Sequence, residues 1–75
     1  MLDTLKKLIS MYTDINPDEI TPESDIRNDL GLNSLTLMNL VVEIEDHYNI
    51  EIPEDIAVEF ETVGDVLKYL ETVVK

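Results

Sequence analysis

Apolar residues recur at helical spacing in three separate stretches of this chain, and no stretch alternates for long enough to build a sheet. In the last, Val63, Val66, Leu67, Leu70, Val73 and Val74 follow at i, i+3, i+4, i+7, i+10 and i+11, which lines one face of a helix. Thr62 and Asp65 form a capping-box pattern at its start, with Asp in place of the usual Glu or Gln. Gly64 weakens the first turn by about 1 kcal/mol relative to Ala, and the long stripe outweighs it. In the first stretch, Leu2, Leu5, Leu8, Ile9 and Tyr12 predict a helix over residues 2–12. Asp14, Asn16 and Pro17 then break the pattern.

The middle stretch predicts a helix over residues 34–48, capped by Asn33 or Ser34. At roughly 100° per residue, Leu37, Leu40, Val41, Ile44 and Tyr48 cluster toward the core. Leu35, Met38 and Val42 form a second strip, rotated away from that cluster. Glu45 projects between Met38 and Val41, so water must reach that edge, and the apolar arc is too wide for one buried face. The second strip is therefore at least partly exposed, as a flank of the core or as a docking patch. Its place just after Ser34 favours docking, with Asp29, Glu43, Glu45 and Asp46 as an acidic rim.

The remaining segments are connections. Residues 13–33 make a long one for so small a chain, and Ile15, Ile20, Ile26 and Leu30 are spaced along it as packed anchors. A short helical turn fits within it. Ile50, Glu51, Ile52 and Pro53 alternate like a strand but are too few and have no partner. They read as an extended link whose isoleucines plug the core. Pro53 suits the start of a short helix over residues 54–59, from which Ile56, Ala57 and Phe60 would pack inward.

Composition narrows the function classes. The chain has 75 residues, enough for one domain close to the size limit for a core without staples. Against 5 basic residues stand 17 acidic ones, a net charge of −12. Nucleic-acid binding needs clustered Lys and Arg, so no such partner is expected. The acidity serves solubility, or suits partners with basic docking patches. No segment reads as a signal peptide or a membrane span, so the expectation is a monomeric, soluble, cytoplasmic protein without a membrane partner.

With no cysteine, disulfides and thiolate metal sites are excluded, and any thiol chemistry must be imported. Asp14, Asn16 and Asp18 open like a calcium loop, but Glu19 and Asp25 stand where that loop needs Gly and a bidentate Glu. No metal site is expected beyond diffuse divalent-ion binding to the acidic surface. The single histidine, His47, reads as an exposed helix residue far along the chain from Ser34. There is no phosphate-cradling glycine loop and no carboxylate pair in a cleft-forming context. The chain is more plausibly acted upon than acting.

Ser34 is the residue of interest. Gly31 and Asn33 precede it, and it stands where the backbone N–H groups of a helix N-terminus and its dipole favour an attached phosphate. Locally, Gly-Leu-Asn-Ser-Leu also reads as an ordinary turn and cap. The chain as a whole decides between these. Asp29-Leu30-Gly31-Leu32-Asn33-Ser34-Leu35 is similar to the Asp-Leu-Gly-x-Asp-Ser-Leu signature of the acyl carrier protein family. Asn16 to Thr21, Glu43-Ile44-Glu45, Ile50 to Pro53 and Thr62-Val63 follow the family's other motifs in order, so the resemblance spans essentially the full chain.

The resemblance implies an all-α, right-handed four-helix bundle with a short third helix and a long loop between helices one and two. It implies a non-catalytic carrier, covering residues 1–75 as a single domain. On Ser34 a phosphopantetheinyl transferase would place 4′-phosphopantetheine from coenzyme A, and the arm would bear acyl groups as thioesters between acyl-processing enzymes. By position, Leu35, Met38 and Val42 become apolar docking contacts, and Glu45 and Asp46 acidic ones. Leu40, Ile44, Tyr48, Ile52, Ala57 and Phe60 would line an acyl pocket between the second and third helices. The departures are Asn33 where Asp is usual, and Thr36 and Asn39 at common acidic positions. These leave open fatty-acid synthesis against a specialised polyketide or secondary lipid pathway. The rival reading is a helical interaction module of the same fold without a cofactor.

Overall fold

A computed structural model describes residues 1–74. The helices are α1 (Leu2–Ser10), α2 (Ser34–Tyr48), α3 (Glu54–Ala57) and α4 (Val63–Val73), with a 3-10 turn at Pro17–Glu19. No strand is present among the described residues, and the expected all-α bundle is what forms. None of these helices is long and apolar enough to cross a membrane.

The helix boundaries follow from local hydrogen bonding. The first helix stops two residues short of the expected Tyr12, because Met11 and Tyr12 donate to Leu8 and Ile9, a tightened last turn. The third shortens in the same way, where Glu59 and Phe60 donate to Ile56 and Ala57. The second matches its expected span, and Asn49 ends it in the left-handed region at φ 55°. Asn is among the few residues that adopt that conformation readily. The capping box of α4 is complete: Asp65 N–H donates to Thr62 Oγ1 at 3.2 Å, and Thr62 N–H donates to Asp65 Oδ2 at 3.1 Å.

One apolar core joins the four helices. Leu5 and Ile9 of α1, Leu37, Leu40, Val41 and Ile44 of α2, Ala57 of α3, and Val63, Val66 and Leu70 of α4 are all buried in it. The anchors Ile20, Ile26 and Leu30 hold the long connection down, whereas Ile15 is half-buried. Leu32 is a further anchor, buried just before Ser34.

The same connection is clipped to the start of α4. Ile26 donates to the Glu61 carbonyl at 2.9 Å, Val63 to Ser24 at 3.0 Å and Gly64 to Pro22 at 2.7 Å. This clip explains Gly64. A Cβ there would stand 2.9 Å from the Pro22 oxygen, the very atom that accepts the Gly64 N–H. Gly64→Ala is therefore expected to lower the melting temperature. Overpacking of about 1–3 kcal/mol outweighs the roughly 1 kcal/mol of helix propensity gained. A variant that melts above wild type would show that the connection yields without cost.

Charge opposes this packing. A net charge of −12 is confined within a radius of gyration of 11.0 Å, close to the Debye length of about 10 Å at 0.1 M salt. Self-repulsion is thus screened over the salt range used in the laboratory. The melting temperature is expected to rise from low ionic strength to about 0.2 M sodium chloride, where the Debye length has fallen below 10 Å. A flat or falling value contradicts this.

Candidate functional site

The segment before α2 is built by carboxylates and one glycine. Asp25 Oδ1 accepts the N–H groups of Arg27 at 2.9 Å and Asn28 at 2.8 Å, while Asp25 N–H donates to Asp29 Oδ2 at 2.7 Å. The Asn28 N–H does most to hold the Asp25 carboxyl below the usual carboxylate range; partial desolvation opposes it, and the Arg27 N–H and charge assist. The chain then turns through Gly31 at φ 71°, a region that favours glycine. Leu32 N–H returns to the Ile26 carbonyl at 3.1 Å, and the buried Leu32 side chain locks the approach.

Helix α2 begins directly after this lock. Asn33 is extended and its side-chain oxygen accepts the Thr36 N–H at 2.8 Å, so Asn33 is the cap and Ser34 is the first helical residue. The division of labour is consequential. Because the carboxamide caps the helix, the Ser34 hydroxyl is left exposed for chemistry. The residues fit a phosphodiester: an exposed hydroxyl sits beside helix-end N–H groups that no backbone carbonyl can reach. When bound, phosphopantetheine supplies the thiol that this cysteine-free chain lacks.

His47 is exposed in the last turn of α2, roughly 20 Å along the axis from Ser34 at 1.5 Å per residue. His47 is therefore not placed to activate the Ser34 hydroxyl. No group of three or more His, Cys, Asp or Glu residues is arranged to hold a metal among the described residues. Asn16 of the calcium-like stretch instead caps the 3-10 turn, accepting the Asp18 N–H at 2.9 Å.

The strip beyond Ser34 is open. Leu35 is 73% exposed and Val42 52%, with Met38 half-buried beside them. Asp46 is exposed, and Thr36 and Asn39 bring no charge to this face. Glu45, expected on the acidic rim, also makes a part-buried bond: its Oε2 accepts the Ile52 N–H at 2.7 Å. Sequence reasoning missed this because residues 45 and 52 meet only once the chain reverses after Asn49. It also passed over Val58, just beyond α3 and 55% exposed.

Leu40, Ile44, Ile52, Ala57 and Phe60 are brought together in the core, with half-buried Tyr48 packed against it. The Tyr48 hydroxyl is shut off from solvent and has no hydrogen-bond partner among the described residues. Around them the surface carries grooves. One of about 720 Å³ runs between Asp25, Arg27 and Asn28 and the Val58–Glu61 segment.

Comparison with known proteins agrees with this geometry. The family model described as a phosphopantetheine attachment site matches residues 3–70. An acyl carrier protein of Wolinella succinogenes is 40% identical over 72 residues, covering 96% of this chain and 95% of the relative. One from Clostridium perfringens is 43% identical over 70 residues, covering 93% and 92%. The solved acyl carrier protein of Enterococcus faecalis superposes with a TM-score of 0.81 at 35% identity, covering 95% of this chain and 90% of that one. Fold, cap geometry and near-full-length similarity converge: this chain belongs to the acyl carrier protein family and carries acyl groups as thioesters on covalently attached 4′-phosphopantetheine.

Proposed function

We propose that Ser34 is the attachment residue, loaded from coenzyme A by a separate phosphopantetheinyl transferase. The observation that carries this reading is the exposed Ser34 hydroxyl on the first turn of α2, freed by the Asn33 cap. The chain acts as one carrier domain, working as a monomer in the cytoplasm.

Partner enzymes dock along Leu35, Met38 and Val42, with Asp46 and the outer face of Glu45 meeting their basic patches. Apolar contacts in a desolvated centre give affinity, and the acidic rim speeds encounter. With Asn33, Thr36 and Asn39 uncharged, the steering field is weaker near Ser34 than further along α2. That favours partners whose basic residues reach toward Asp46, and a specialised lipid or polyketide pathway is a competitor to fatty-acid synthesis. The acyl chain lodges between α2 and α3, against Leu40, Ile44, Tyr48, Ile52, Ala57 and Phe60.

Incubation with coenzyme A, Mg²⁺ and a promiscuous transferase tests attachment. Intact mass is expected to rise by one phosphopantetheine, and peptide mapping to place it on Ser34. An unchanged mass, or a mark elsewhere, would overturn the assignment.

A further inference from the structure

The reversal between α2 and α3 is tied to one residue. The Glu45 carbonyl accepts the N–H of Asn49, which closes α2, and also that of Ile50 at 3.1 Å. Its carboxylate reaches further and accepts the Ile52 N–H at 2.7 Å. Three of the first four N–H groups beyond α2 thus end on Glu45. Ile52 is buried, and Pro53 follows it at once with a carbonyl that accepts from Ile56 and Ala57 to start α3. Where Ile52 sits therefore sets where α3 sits.

The bond is of the strong kind, because its acceptor is a carboxylate. It is also reachable. Glu45 is only partly buried and borders an open groove of about 530 Å³ between Asp46 and the Ile50–Pro53 segment. A bond at such an edge holds its element in place yet opens without unfolding the core. The short α3 has few other restraints: four helical residues with only Ala57 fully buried among them. We propose that Glu45 is a positioning residue, a strap that holds α3 against α2 and so sets how long an acyl chain on Ser34 stays shielded from water. This rests on the reading that the chain lodges between those two helices.

The test uses the full chain carrying an octanoyl thioester on Ser34, as wild type, Glu45→Ala, Glu45→Gln and Glu71→Ala. Two rates are read, exchange of the Ile52 amide and cleavage of the thioester by hydroxylamine. In Glu45→Ala the amide is expected to exchange about tenfold faster or more, given the usual strength of a hydrogen bond to a charged group. Thioester cleavage should speed up severalfold with it. Glu45→Gln keeps an acceptor oxygen and should recover much of both effects, while Glu71→Ala, at an exposed acid of α4, should match wild type.

Faster exchange with unchanged cleavage in Glu45→Ala would make the bond merely structural and overturn the proposal. If Glu45→Ala fails to fold, Glu45→Asp takes its place, because its carboxylate stops one methylene short of the Ile52 N–H, and cleavage at the wild-type rate in that variant overturns the proposal. A wild-type thioester cleaved as fast as free octanoyl-pantetheine would instead remove the shielding reading itself, and the strap with it. Protection in wild type that persists in Glu45→Ala removes the strap alone.

Discussion

Ser34→Ala is expected to abolish phosphopantetheine loading completely while the protein keeps its fold. The loss is total because alanine has no oxygen with which to form the phosphoester. The fold survives because the cap is Asn33, whose side chain accepts the Thr36 N–H without help from Ser34. Ser34 is exposed, and alanine is at least as good a helix former at that position. Stability should therefore stay within about 0.5 kcal/mol of wild type, as for surface changes that break nothing. Intact mass after transferase treatment and a circular-dichroism melt read the two halves separately. A mass gain in the variant would point to another hydroxyl. A large fall in melting temperature would mean that Ser34 shares the capping role.

The second large effect is on stability. Leu70→Ala should cost about 2–5 kcal/mol, the range for leucine truncation in a packed core. Leu70 has no solvent exposure and lies on the face of α4 that closes the bundle. A chain of 75 residues has roughly 4–11 kcal/mol of total stability at the usual 0.05–0.15 per residue. One truncation thus removes a large share, and the variant should be partly unfolded at physiological temperature. Urea unfolding reads this as a lower midpoint at unchanged slope. Met11→Ala is the matched control, since Met11 is 62% exposed and should shift the midpoint little. Similar midpoints for the two variants would contradict the core assignment.

The two expectations rest on different kinds of information. Helices α2 and α4, the capping box at Thr62, and the exposure of Leu35, Met38 and Val42 were legible because each depends on residues three or four apart. Side-chain direction on a helix follows from its geometry, so an apolar arc interrupted by Glu45 announces its own exposure. Ser34 stood out from its place at the start of that helix, and the order of motifs along the chain lifted it above an ordinary turn. The ends of α1 and α3 were less legible, since a helix end is settled by whether the last carbonyls are met at i+3 or i+4.

What the sequence by itself determined was local: the helical runs, the anchors in the long connection, the absence of a thiol and the candidate hydroxyl. The folded backbone decided which of two capping residues does the capping, through a bond from Thr36 N–H to Asn33 within the first turn. It decided that Gly64 is there for the Pro22 carbonyl and not merely tolerated in a helix. It also made Glu45, an acid of the rim, the acceptor of the Ile52 N–H. The last two depend on backbone atoms from distant or reversed segments meeting at hydrogen-bond range. Periodicity carries no record of such meetings, because a short carboxylate or carbonyl contact exists only after the chain has closed on itself.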